Sequence, residues 1–206
     1  MLVTPLLRVS TLASSGRIVG TRQFKNLAEH GDWVARVKAS AEPRPASVVT
    51  ARAQDAAPFL FSVDPMVGHL DVHAAPRPSS SSSGDFSRPR PPSASLLDVR
   101  YPLASDGPLR HAVADAGDTW ATFRLSKFLE AVDALTADVA YRHTDGAARG
   151  LALVTAGHAH SRKLQATQLD RDLWLRCYVT SCGSSSLEVR TDAVQVSPYA
   201  LHASGL

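Results

Sequence analysis

Cysteine is scarce in this 206-residue chain, which carries Cys177 and Cys182 and no other. A small secreted domain stapled by disulfides normally uses more of them. One C-x4-C pair without a second pair is also too few ligands for a structural zinc site. We therefore expect both cysteines to be reduced thiols in or near a hairpin.

Long apolar runs are missing as well. No stretch approaches the roughly 18–20 consecutive apolar residues of a membrane-spanning helix, so the sequence predicts no membrane span. Aromatic residues make up only 6 % of the chain, and it contains thirteen prolines. Together with the many serines, this composition indicates that part of the length is not folded core.

Acidic residues are absent from residues 1–28, which carry scattered arginines and serines. This composition is typical of an organelle transit peptide. The segment lacks the continuous apolar run that a secretory signal contains. We predict a mitochondrial matrix protein, with a plastid or an ordinary basic tail as the alternatives. Residues 1–50 carry seven basic and three acidic residues, a net +4, so the rest of the chain sums to −1 and the overall charge of +3 belongs to the N-terminal segment. Downstream, no basic cluster is interleaved with aromatics, so we expect no nucleic-acid partner.

Composition divides the remaining chain into four parts. Residues 29–73 form a poorly defined extension, and Phe24 to Val37, which crosses its first boundary, fits one short helix. Residues 74–94, rich in serine and proline, read as a flexible linker because they bury too little apolar area to offset ordering. Residues 95–196 are the predicted folded domain, and 197–206 are a tail.

The folded part reads as one strand, a long helix and three more strands. Apolar residues alternate over 97–103, 151–156, 173–180 and 187–193, which predicts half-buried strands. Asp106-Gly107-Pro108 predicts a turn after the first strand. The helix is predicted over 126–140, with Ser126 as its N-cap. Its apolar stripe consists of Leu125, Phe128, Leu129, Val132, Leu135, Thr136 and Val139. The last two strands form a hairpin, and the order as a whole indicates an α+β fold.

Short motifs in this region resemble a known family. They are Leu97-Asp98-Val99-Arg100-Tyr101-Pro102-Leu103, the Leu-Glu-x-x-Asp-x-Leu helix from Leu129 to Leu135, Ala152-Leu153-Val154-Thr155-Ala156 and Leu187-Glu188-Val189-Arg190. With their spacing, they resemble the first half of the mitochondrial two-domain acyl-CoA thioesterases. The resemblance implies a hotdog fold, in which an antiparallel sheet wraps a central helix. It also implies hydrolysis of acyl-CoA to a fatty acid and CoA.

The sequence departs from that family at three points. Ser126 stands where the family usually has glycine, and Ala131 replaces an acid of the helix. A final strand and a second hotdog half are expected after residue 196, and residues 197–206 do not supply them convincingly. The resemblance therefore implies one incomplete hotdog half, working as a homodimer or with a partner chain. The alternatives are a catalytically degenerate subunit with a structural or acyl-binding role, and a truncated product.

Thioester hydrolysis needs a base that activates water and a donor that stabilises the oxyanion. Asp133 is our first candidate for the base and Glu130 the second, since the two are three apart on one helix face. Arg162 and Lys163 are candidates for binding the CoA phosphates. A solvated helix face and a solvated strand end are the alternative interpretations. His143, His158 and His160 have no evident further ligand, so we predict no metal and no cofactor.

Overall fold

The computed structural model describes residues 6–13, 54–64, 66–74, 90–115, 122–147, 150–162, 167–183 and 185–195. Of residues 6–13 and 158–162 it describes the backbone course. The predicted helix within 24–37 and the tail 197–206 lie outside these ranges. In the described part, three α-helices with defined bounds, a helical stretch at 54–56 and two short 3-10 turns accompany one sheet of six strands.

The sheet is antiparallel throughout, in the order β2-β3-β5-β6-β1-β4. Its strands are β1 (Leu6–Ala13), β2 (Asp71–Ala74), β3 (Leu97–Tyr101), β4 (Leu153–Arg162), β5 (Leu173–Cys182) and β6 (Ser186–Gln195). The helices are α1 (Pro58–Val63), α2 (Gly107–Val113) and α3 (Leu125–Thr144). The α+β prediction is confirmed, and this arrangement is consistent with a hotdog-like fold.

Helix α3 packs along one face of the sheet through alternate strand residues. Val99, Leu175 and Val189 are fully or almost fully buried on β3, β5 and β6, as expected where successive side chains point to opposite faces. From the helix, Leu135 and Val139 are fully buried. This apolar contact is the core that the helical and strand periodicities predict.

The opposite face of the sheet carries charged pairs across neighbouring strands. Arg176 of β5 makes two hydrogen bonds to Asp98 of β3, at 2.7 and 2.6 Å. Arg100 is bound to Asp172 at 2.9 and 2.6 Å, and its guanidinium lies 5.6 Å from the centre of the Trp174 ring. Both arginines are buried, and each is paired with an acid as a buried cation requires. The basic residues of these strands are therefore structural.

Two local predictions differ from the structure. Asp106-Gly107-Pro108 begins helix α2, because the Asp106 side chain accepts a hydrogen bond from the Leu109 amide at 2.9 Å and caps the helix. Proline in the first turn suits a helix as well as it suits a turn. Helix α3 begins at Leu125, so Arg124 occupies the N-cap position predicted for Ser126, and no side chain caps that end.

The predicted strands are present with shifted ends. The strand predicted over 151–156 lies at Leu153–Arg162, and the last two pair as a hairpin, as expected. Helix α3 ends at Thr144, where Asp145 adopts the left-handed conformation that closes helices. Cys177 lies within β5 and Cys182 at its end, both as free thiols.

Segments outside 95–196 also contribute to the sheet. Strand β2, at the end of the predicted extension, pairs with β3. Strand β1, inside the segment predicted to be a transit peptide, lies between β6 and β4. The boundaries from composition stay predictions, since composition detects local disorder signals and not pairing with strands far along the chain.

Candidate functional site

Helix α3 changes its surroundings at Asp133. Leu125 and Leu129 were expected in the buried stripe, but they are 55 % and 38 % exposed. They lie four residues apart on one ridge, and Asp133 continues it after another four. Beyond Asp133 no residue of the helix is exposed. An apolar ridge on the surface therefore leads to an accessible carboxylate.

Asp133 lies against the edge strand of the sheet. Its Oδ1 accepts a hydrogen bond from the Thr155 hydroxyl of β4 at 3.0 Å, and both residues are exposed. The bond fixes one carboxylate oxygen, while Oδ2 has its own lone pairs for a further donor. The geometry suits a carboxylate that orients a water molecule at the rim of the sheet.

Glu130 lies one turn earlier and has a different partner. Its Oε2 accepts from the Lys127 ammonium at 2.7 Å, in an i,i+3 pair whose side chains are 47 % and 35 % exposed. Exposed pairs of this kind add about 0–1 kcal/mol to stability. Glu130 is therefore held by a side chain of its own helix, whereas Asp133 is held by a residue of the sheet.

The helix N-terminus is distant from Asp133. Seven residues separate it from Ser126, which corresponds to roughly 10 Å along the helix axis. A base, its water, a thioester carbonyl and an oxyanion donor together span about 9 Å at contact distances of roughly 3 Å each. The amide groups that begin α3 therefore lie at the limit of reach of an oxyanion formed by water on Asp133.

Asp138 was not singled out from the sequence, although its side chain is the more perturbed carboxylate. It is 1 % exposed and accepts hydrogen bonds from the amides of Phe59 and Leu60, at 2.9 and 3.0 Å. Burial raises its pKa to about 7, against the opposing effect of the two amides and of Arg142. Asp138 joins the first turn of α1 to α3 through these two hydrogen bonds. The sequence signal that could have indicated its burial is its position between apolar residues of the helix.

A serine and a histidine meet at the end of α3. The Ser95 hydroxyl lies 3.0 Å from Nδ1 of His143, a distance found in activated nucleophiles. Ser95 is 0 % exposed, however, and its hydroxyl also donates to the Pro92 carbonyl at 3.3 Å. Burial lowers the pKa of His143 to about 4, with Arg90 adding to the effect. The pair anchors residues 90–95 on the helix.

For most of the remaining candidates the structure describes the backbone course or nothing. Arg162 is the last residue of β4, and Lys163 lies outside the described residues. His158 and His160 belong to β4 and His143 is buried at the end of α3. Among the residues that the structure describes, no three metal-ligating side chains come together.

The Cys177 thiol is not a nucleophile candidate, since it is fully buried and burial raises its pKa to about 12. None of the described helices combines the length and the apolar character needed to cross a membrane.

Comparison with known proteins gives one curated relative, at 34 % identity over 107 residues. It is "Acyl-coenzyme A thioesterase 4, mitochondrial" of Humulus lupulus. The match covers 50 % of this chain and 20 % of the relative, so the chain spans about a fifth of that protein. No family model and no solved structure matches. The similarity supports a relationship to the thioesterase family.

Proposed function

We propose that the chain is an acyl-CoA thioesterase-like hotdog domain that hydrolyses fatty acyl-CoA to the fatty acid and CoA. The observation that carries this proposal is Asp133. It is an exposed carboxylate at the end of an apolar ridge, oriented by a strand hydroxyl, in a chain similar to a mitochondrial acyl-CoA thioesterase. The ridge of Leu125 and Leu129 offers an apolar surface for an acyl chain or a second subunit.

The chemistry assigns one role to each oxygen of Asp133. Thr155 holds Oδ1, and Oδ2 accepts a proton from a water molecule as that water attacks the thioester carbonyl. The tetrahedral intermediate then collapses, the carbon–sulfur bond breaks, and CoA leaves as a thiolate that takes up the proton. Arg162 and Lys163 stay the candidates for the CoA phosphates.

A second subunit is proposed because the site needs a donor for the oxyanion. The amides at the start of α3 lie at the limit of reach from Asp133, so a donor from a second hotdog half would complete the site. Pairing on the exposed ridge would also remove Leu125 and Leu129 from water, at about 25 cal/mol per Å² of apolar area. We propose a homodimer or a pair with a partner chain.

A non-catalytic subunit is the second candidate function. The observation favouring it is that Glu130 is paired with Lys127. Nearby, Ser126 stands where the family usually has glycine, and Ala131 stands where it has an acid. Such a subunit would bind acyl-CoA, or support an assembly, without turnover.

The test is hydrolysis of a panel of acyl-CoA chain lengths by the full chain, followed by release of free thiol. Asp133→Asn should lower kcat at least tenfold, about 1.4 kcal/mol of barrier. Thr155→Val should lower kcat less than Asp133→Asn does, because it loosens the carboxylate without removing it. Thr155→Ser keeps the hydroxyl and should retain the wild-type activity. Asp170→Asn, an exposed acid in the turn before β5, is the matched control.

The outcomes separate the two functions. Wild-type turnover that disappears in Asp133→Asn and persists in Asp170→Asn supports the enzyme. Binding of acyl-CoA with no turnover above buffer would establish the non-catalytic subunit. Sizing of the full chain tests pairing, and Leu129→Asp should shift a dimer to monomer.

Mitochondrial localisation is proposed on the acid-free composition of residues 1–28 and the mitochondrial relative. A reporter fused to residues 1–40 should enter mitochondria. Reporter in plastids would replace the mitochondrial assignment with a plastid one. Reporter spread through the cytosol would contradict any organelle targeting by this segment.

A further inference from the structure

Strand β4 is joined to the sheet through a single neighbour. It is last in the strand order, and within the described ranges it pairs with β1 alone. On its other side β1 pairs with β6 over seven successive positions, from Leu6 opposite Asp192 to Leu12 opposite Ser186, without a register shift. Strand β1 is therefore the link between β4 and the other four strands.

In residues 153–157, the part of β4 whose side chains the structure describes, burial contributes little to holding the strand in place. Residues 154–157 are all exposed, and Leu153 is half-buried. The hydrogen bonds described from β4 to α3 are the Thr155 bond to Asp133 and a bond from the Leu153 amide to the Tyr141 hydroxyl, at 3.2 Å. An exposed strand without a neighbouring strand is marginal in water. The position of Thr155 thus depends on the ladder between β1 and β4.

We propose that residues 6–13 complete the candidate site as a retained sheet strand, which holds β4 and so keeps the Thr155 hydroxyl on Asp133. The importance of Asp133 rests on the proposed function, whereas the role of the strand rests on the sheet alone. Because residues 6–13 lie inside the predicted transit peptide, cleavage after residue 28 would remove the strand. Asp133 would then lose the Thr155 hydroxyl, and turnover would fall, until an extended segment entered the slot between β6 and β4.

Residues 6–13 are the occupant that this slot fits. They pair antiparallel on both sides, so each backbone amide and carbonyl along the strand has a potential partner in one neighbour or the other. Pairing by addition of an extended segment to open strand edges is a general mode of peptide recognition. Strand β6 stays paired with β5 in any case, so loss of β1 is expected to be local.

The experiment uses the full chain with a specific protease site replacing residues 19–24. Hydrogen exchange is followed before cleavage, after cleavage and removal of the N-terminal piece, and after adding a synthetic peptide of residues 5–14 or its scrambled version. We expect the amides of 153–157 to exchange at least tenfold faster after removal, and to regain protection with the native peptide only. Amides of β5 should stay protected throughout.

Two outcomes would overturn the proposal. Unchanged exchange at 153–157 after removal would show that β1 does not hold β4. Simultaneous loss of protection in β4, β5 and β6 would show that the strand is part of the global fold and not a separable element.

Point variants give the second measurement in the uncut chain. Val9→Pro removes a strand amide and should expose β4, whereas Val9→Thr keeps the amide and strand preference and should not. If the wild type hydrolyses acyl-CoA, turnover should fall in every sample in which β4 loses protection. In the cleaved chain it should return when the peptide of residues 5–14 is added. If it does not, the exchange result still decides the role of the strand.

Discussion

The two halves of helix α3 carry the same kinds of residue in opposite surroundings. In the first half, Leu129 and Asp133 are exposed, and the Asp133 carboxylate has a hydroxyl partner on the rim of the sheet. In the second half, Leu135 and Asp138 are buried. The difference comes from the covering segments, because α1 and residues 90–95 lie on the second half of the helix. Accessible chemistry is therefore confined to the first half.

The largest expected contrast is between two leucines of this helix. Leu135→Ala should lower the free energy of unfolding by about 2–5 kcal/mol, since it leaves a cavity beneath the sheet. Leu129→Ala should change it by about 0.5 kcal/mol or less, because the side chain is already partly in water. Chemical denaturation of both variants checks this. Equal losses would mean that the ridge is covered by another subunit in solution.

The two aspartates give the next contrast. Asp138→Ala should cost roughly 2–4 kcal/mol, because the Phe59 and Leu60 amides at the start of α1 lose their acceptor. Asp133→Ala should cost well under 1 kcal/mol, since its hydroxyl partner is exposed and turns to water. Thermal denaturation compares them. A larger loss for Asp133→Ala would contradict the structural role assigned to Asp138.

The smallest effect is on pH dependence, where Asp138 and His143 act in opposite directions. Asp138, with its folded pKa raised to about 7, keeps its proton longer in the folded state, so its contribution to stability falls as pH rises from about 4 to 7. His143, with its folded pKa lowered to about 4, contributes stability that grows as pH rises from about 4 to 6.5. The wild type should therefore show a shallow pH profile.

Single variants should reveal each slope. Asp138→Asn should leave stability rising across that range, and His143→Gln should leave it falling, each by at most about 1.4 kcal/mol per pH unit. Denaturant midpoints at pH 4.5, 5.5 and 6.5 measure both. Parallel profiles for the two variants would contradict the opposite assignments.

Local patterns predicted much of the secondary structure. The three- and four-residue spacing located α3, and alternation located β3, β5 and β6, because both follow from the geometry of a single segment. The helix α2 was missed, since Asp-Gly-Pro suits both a turn and a capped helix start. Asp138 was missed because its amide partners lie 78 and 79 residues away along the chain.

The sequence by itself determined which residues can form helix and strand, and which carboxylates share a face of α3. Only the tertiary structure decided which leucines of the apolar stripe are covered, which aspartate is buried, and that residues 6–13 separate β6 from β4. Periodicity depends on neighbours within one or two turns. Burial and strand pairing instead depend on segments far apart along the chain, 78 residues for Leu60 and Asp138 and more than a hundred for β1 and β4. No local pattern records which segments will meet.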